Sequence, residues 1–276
     1  MHSLGKEFRL KRLIREETNS SVICALDHGM TSPKFLGGLV DMKGRVREAQ
    51  EGGANVFMLS KGFARIVVDD FKRDTSFVML LSASAAGCPT PNIIVQIGQV
   101  EEALRLGADA VVVYVALTGE NEPKMINFLS EVGRECERLG MPFIAEAEYP
   151  SAYATLDSLQ EEYGYEYLIR NSRLCAELGA DIVKTNWPGS GELFGKIVEA
   201  TQVPMVVAGG TLVSDTELLE RMEQAMQAGG VGCSVGRNIF EHENPFAITQ
   251  ALSRVIHERW TAKDALKELE ATLAGS

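Results

Sequence analysis

The chain has 276 residues, 45% hydrophobic and 24% charged, an ordinary globular balance that excludes disorder. Its 27 Lys and Arg face 38 Asp and Glu, for a net charge of −11. No basic stripe of the kind a nucleic-acid duplex needs is present, so nucleic acid is not expected as a partner. The longest uninterrupted apolar run, residues 110–117, has eight residues, far short of the roughly 20 that span a bilayer.

The basic N-terminus MHSLGKEFRLKRLI has no continuous apolar core, so no signal peptide is read and a cytoplasmic protein is expected. Cysteines 24, 88, 136, 175 and 233 are odd in number, widely spaced and lack a C-x-x-C pair. They predict neither a disulfide framework nor a structural zinc site, but reduced, buried, small hydrophobes.

One local pattern recurs along the chain: a polar helix ends at glycine and a short β-branched run follows. Gly52-Gly53-Ala54 precedes NVFML, Gly107-Ala108-Asp109 precedes AVVVYV, Gly179-Ala180-Asp181 precedes IVK and Gly229-Gly230-Val231 precedes GCSV. Glycine suits the left-handed position that closes a helix, so each is a helix-to-strand joint. A related joint, Leu139-Gly140-Met141-Pro142, leads into FIAEAE.

In order, strands are predicted at 22–26, 55–59, 77–81, 110–115, 143–146, 182–184, 205–208 and 232–235. Amphipathic helices are predicted among them at 101–106, 124–139, 171–178 and 216–228. Continuous apolar strands separated by helices indicate a parallel sheet covered on both faces. Eight such units predict a single-domain (β/α)8 TIM barrel over 1–276. The alternative, an open doubly wound sheet, more often carries a Gly-rich loop after its first strand, where this chain has Asp27-His28-Gly29. Residues 1–19 and the helical tail 261–276 read as extensions, used for packing or contact between copies in a homo-oligomer.

Barrel enzymes work at the C-terminal ends of their strands. Those ends carry Asp27, Lys61, Ser82 and Ser84, Tyr114, Glu148 and Tyr149, Lys184, Gly209-Gly210 and Gly236-Arg237. Lys184 follows a run that is buried on both faces, where a lysine is costly unless paired or neutral. Desolvation is expected to lower its pKa, and a neutral amine is the nucleophile that forms a Schiff base with a ketone. A lysine snorkelling at the rim, or paired with Asp27, is the structural alternative. Gly209, Gly210, Gly236 and Arg237, after the seventh and eighth strands, suit a phosphate dianion.

Other residues are weaker candidates. His28 orients a carboxylate or satisfies a loop, Trp187 walls the pocket, and Trp260 is structural. His2, His242 and His257 are dispersed, so neither a metal nor another cofactor is expected. The serines lack triad partners.

The segments Ala25-Leu26-Asp27-His28-Gly29, Gly179-Ala180-Asp181-Ile182-Val183-Lys184-Thr185, Val207-Ala208-Gly209-Gly210 and Val235-Gly236-Arg237-Asn238-Ile239-Phe240 together resemble the class I aldolases of the DeoC/FbaB/LacD group. The resemblance runs over roughly residues 10–269. Within the group the chain is most similar to the amino-dideoxy-heptulosonate synthases and the archaeal-type fructose-bisphosphate aldolases. It implies a Schiff base on Lys184, acid/base work by Tyr149, and proton-transfer assistance and hydroxyl positioning by Asp27. Phosphate would be held by Gly209, Gly210, Gly236 and Arg237, and the substrates would be a phosphorylated keto sugar and an aldehyde. His28, Lys61, Ser82 and Trp187 are further pocket candidates.

The family's Tyr-Pro-Arg-Gly is replaced by Tyr149-Pro150-Ser151-Ala152, and Asn186-Trp187-Pro188-Gly189 follows the lysine. Glu146 and Glu148 add negative charge beside Tyr149. These departures bear on substrate more than on reaction. Two competing readings are a phosphosugar isomerase using Glu148 as base and a non-catalytic phosphate-metabolite-binding barrel.

Overall fold

The computed structural model describes residues 3–84, 93–150 and 156–275; His2, Cys88, Ser151 and Ala152 lie outside them. Ten strands are described: β1 Ser21–Ala25, β2 Val56–Leu59, β3 Ser76–Leu80, β4 Ser82–Ser84, β5 Ile94–Gln96, β6 Ala110–Val115, β7 Phe143–Ala147, β8 Ile182–Thr185, β9 Met205–Ala208 and β10 Gly232–Val235. Eight of them, all parallel, close in the order β1-β10-β9-β8-β7-β6-β3-β2. The predicted barrel is therefore the observed fold, and its strands lie within one residue of the expected bounds. The additional antiparallel pair β4–β5 was not anticipated, because three-residue strands are too short to show a period of two.

Alternation along the strands sorts the core into two layers. Ile23 and Ala25, Val56 and Met58, Val78 and Leu80, with Ile144, Ile182 and Val206, fill the barrel interior. Their neighbours Cys24, Phe57, Met79, Phe143, Val183 and Val207 pack outward beneath the helices. Cys24, Cys136, Cys175 and Cys233 are free and buried as expected.

The predicted helices are present, but the one expected at 171–178 is the end of a longer element, Leu156–Glu177, interrupted at Gly164 by non-helical backbone (φ 69°, ψ 176°). Gly164 supplies the left-handed conformation that other residues rarely adopt. No helix among the described residues is long and apolar enough to cross a membrane.

The floor of the barrel is sealed by the helix Leu4–Leu13. Leu13 is buried in the interior cluster, and its carbonyl accepts from Asn55 Nδ2 at 3.0 Å. Lys6 Nζ lies 2.9 Å from Asp181 and 3.2 Å from Glu137, and Arg12 lies 2.6 Å from Asp109. At the other end of the chain, Ala262–Ala274 forms the expected helix, burying Ala265 and Leu269. Trp260 is structural, covered by the Arg254 guanidinium at 4.8 Å.

Candidate active site

The pleat that points Ile144 and Ile182 into the barrel also points Glu146 and Lys184 inward, two residues further along β7 and β8. The two are register partners, as are Tyr114 and Glu146. Lys184 is 8% and Glu146 5% exposed. Lys184 Nζ lies 2.6 Å from Glu146 Oε1 and 3.0 Å from Glu148 Oε1. Asp27, two residues beyond the end of β1, is buried and acts by its charge on Lys184 and Glu146.

This environment corrects two expectations about Lys184. Burial alone would lower its pKa, but the charges of Glu146, Glu148 and Asp27 outweigh that effect and hold it well above the ordinary lysine range. The resting amine is protonated, not neutral. Its ion-pair partners are Glu146, which the barrel register places directly opposite, and Glu148, not Asp27. Glu146 in turn is pushed up to about 7, by burial first and by the neighbouring carboxylates, against the pull of Lys184. Asp27 is also raised, chiefly by burial.

A cleft opens at this end of the barrel, lined by Lys184, Glu148, Tyr149 and His28. Gly209, Gly210, Gly236 and Arg237 line it as well, with Asn186, Thr211, Ser234 and Leu159. Lysine and predicted phosphate group therefore share one cleft.

Close approach accounts for one of the glycines and backbone conformation for another. A Cβ at Gly236 would lie 2.3 Å from the His28 ring and 2.6 Å from the Ala25 carbonyl, and Gly210 has φ +69°. Asn238 holds the loop in shape, donating to the Gly209 and Thr211 carbonyls at 3.2 and 3.0 Å and accepting from Val213 N at 3.0 Å. Asn238 and Asn186, which accepts from Tyr149 N at 2.7 Å, were not singled out from the sequence. An asparagine at a strand end carries no signal until the carbonyls it spans are known.

Tyr149 is buried, and its hydroxyl donates to the Gly164 carbonyl at 3.2 Å. It belongs to a ring cluster with Tyr163 and Tyr167, at centroid distances of 6.2 and 5.9 Å. Burial pushes its pKa up to about 12, so it rests as a neutral phenol. A neutral phenol is a proton donor.

His28 meets Phe240 edge-on at 5.1 Å. Burial, with Arg237 and Lys184 nearby, pushes it down to about 3, so it is neutral. Its Nδ1 lies 3.6 Å from Asp27 Oδ1, too far for a hydrogen bond.

Three pocket candidates fall elsewhere. Lys61 begins a helix after β2 and pairs with Glu102 at 3.1 Å, away from the cleft lining. Ser82 is buried and accepts from Tyr114 N at 2.9 Å. Trp187 turns into the core against Phe194 at 6.1 Å. In each case strand-end position alone did not reveal which way the side chain turns. Among the described residues no group of His, Cys, Asp and Glu is arranged to hold a metal ion.

The family model described as DeoC/LacD family aldolase matches residues 21–242. The 2-amino-3,7-dideoxy-D-threo-hept-6-ulosonate synthase of Halobacterium salinarum is 35% identical over 258 residues, 94% of each chain. The 2-amino-4,5-dihydroxy-6-oxo-7-(phosphonooxy)heptanoate synthase of Streptomyces griseus is 33% identical over 258 residues, 93% of this chain and 92% of that one. Among solved structures, an archaeal fructose 1,6-bisphosphate aldolase superposes with a TM-score of 0.80 at 22% identity, covering 92% of this chain and 99% of that one. The fold is thus shared with it. The family match decides against an isomerase and against a non-catalytic barrel, and the lysine-bearing cleft belongs to an enzyme. With a family model spanning the barrel and relatives above 30% identity along nearly the whole chain, this protein is a member of the DeoC/LacD family of aldolases.

Proposed function

We propose that Lys184 forms the Schiff base with the keto carbon of a phosphorylated ketose, whose phosphate sits against Gly209, Gly210, Gly236 and Arg237. The observation that carries this reading is the single cleft lined by a buried lysine together with two glycine loops and an arginine. Backbone N–H groups and a guanidinium suit a phosphate dianion. A buried amine with carboxylates in contact can lose its proton and attack the carbonyl.

The hydroxyl that becomes a carbonyl on cleavage must give up a proton, and the same proton must be returned in synthesis. Tyr149, neutral and at the cleft wall, is assigned to that exchange, with Asp27 positioning the substrate hydroxyl. The printed names of the Halobacterium and Streptomyces relatives are those of synthases of seven-carbon products. They support a carbon–carbon bond-forming aldolase that joins a phosphorylated keto sugar to an aldehyde.

The test is borohydride reduction in the presence of dihydroxyacetone phosphate, followed by peptide mapping. The expected result is a stable adduct on the peptide containing Lys184. An adduct on the Lys61 peptide, or none, would overturn the assignment.

A further inference from the structure

A lysine held as an ammonium ion cannot attack a carbonyl, so the site must contain a place for its proton. We infer that Glu146 is that place: it takes a proton from Lys184 Nζ to free the nucleophile and returns it to the hydroxyl that leaves as water when the imine forms. The inference rests on the assignment of Lys184 as the imine-forming residue.

Geometry distinguishes Glu146 from the other two acids. It is the register partner of Lys184 across β7 and β8, its carboxylate accepts the Nζ hydrogen bond at 2.6 Å, and it is nearly inaccessible to solvent. It does not line the cleft, whereas Glu148 does. Glu146 therefore stays against the nitrogen from below when substrate fills the space above, while Glu148 is left to meet the substrate. Asp27 acts on Lys184 through its charge and not through direct contact.

The charged groups acting on Glu146 are Lys184 from β8, Glu148 from the end of β7 and Asp27 from the end of β1. Tyr114, its register partner on β6, donates its hydroxyl to the Tyr149 carbonyl at 3.3 Å. Burial, the largest influence, leaves this carboxyl titrating at about 7, where an acid–base group is matched to neutral solution.

The proton count closes. Glu146 takes one proton from the ammonium, and the freed lone pair forms the N–C bond as the carbonyl π electrons move to oxygen. A second nitrogen proton passes to that oxygen, giving a neutral carbinolamine. Glu146 then returns its proton to the carbinolamine hydroxyl, the C–O bond breaks, and the nitrogen lone pair closes the iminium as water departs. Glu146 ends as a carboxylate and no other reactant is consumed. The early transfer is drawn forward because bonding to carbon turns a strongly basic amine into a weakly basic carbinolamine nitrogen.

The experiment measures the rate of borohydride trapping with dihydroxyacetone phosphate from pH 5 to 9, in wild type, Glu146→Gln, Glu146→Asp and Glu148→Gln, with circular dichroism confirming each fold. Trapping of wild type at Lys184 tests the lysine assignment by itself, and failure there refutes that assignment rather than the role of Glu146. Given wild-type trapping, the expected rate rises with pH through an inflection near neutrality. Glu146→Gln should lose that inflection and trap about 10²- to 10⁴-fold more slowly. Glu146→Asp, shorter by one methylene but still an acid, should trap more slowly yet keep an inflection. Should Glu146→Gln fail to fold, the aspartate variant decides: a wild-type rate would overturn the proposal. Glu146→Gln trapping at the wild-type rate would overturn it as well. So would an inflection lost in Glu148→Gln but kept in Glu146→Gln, which would make Glu148 the acceptor.

Discussion

The two ends of the barrel each bury a lysine, and β8 connects them. Asp181, just before that strand, receives Lys6 of the floor helix; Lys184, near its far end, sits among three acids. Lys6 is 3% exposed, but its second partner Glu137 is 56% exposed and shared with solvent. Asp181 is also tied down, accepting from Phe143 N at 2.8 Å. Burial opposes the charge on Lys6, and the hydrogen bond and charge of Asp181 more than restore it.

At the top the balance is different. Three carboxylates surround one ammonium, their charge exceeds what Lys184 can neutralise, and Glu146 is driven up toward protonation. One end is an ammonium held between a fixed carboxylate and a solvent-shared one, which keeps a helix in place. The other has a surplus of acid beside an open cleft, which leaves a proton able to move. Burying a lysine does not by itself make it reactive; the number of acids around it and access to substrate do.

The largest effect should come from Lys184→Met, which keeps volume and removes the amine. Turnover and borohydride adduct should both disappear while the circular dichroism spectrum stays native; surviving turnover would break the contrast between the two lysines. Tyr149→Phe comes next. It should cost about 10²- to 10⁴-fold in turnover, yet the protein should still be trapped with dihydroxyacetone phosphate. Normal turnover would shift the proton exchange to Glu148 or Asp27.

At the floor, Lys6→Met removes a buried ammonium paired with Asp181, which should cost about 3 kcal/mol. A chemical-denaturation midpoint will register that loss, with kcat unchanged below the melting range. Lost activity in a fully folded Lys6 variant would show that the two ends are coupled. The smallest effect is expected for Arg237→Ala. Loss of a charge-assisted phosphate contact is worth about 1.5 to 3 kcal/mol, or roughly one to two decades in kcat/KM. The loss should appear with phosphorylated substrates and not with a dephosphorylated analogue; an equal loss on both would remove Arg237 from the phosphate site.

Much of this is legible in the sequence. β-branched runs such as Ala110–Val115 are buried on both faces and announce themselves by continuity, and the glycine joints before them mark where helices stop. Lys184 stood out because an apolar strand tolerates a lysine only for a reason, and the glycines with Arg237 stood out by their order after the last two strands. Lys61, Ser82 and Trp187 show what the sequence withholds, since a strand-end position does not say whether a side chain turns toward the cleft, a neighbouring helix or the core.

The sequence by itself determined the alternation of strands and helices, the barrel that alternation closes into, and the residue types at the strand ends. These follow from local periodicity and from burial of apolar runs, which neighbouring residues carry. Only the tertiary structure decided which strand lies beside which and in what register. That register set Glu146, 38 positions from Lys184 in the chain, at 2.6 Å from its nitrogen. It reversed the expected direction of the lysine's pKa, because desolvation is a property of one buried residue while the opposing charge comes from residues that meet only when the barrel closes.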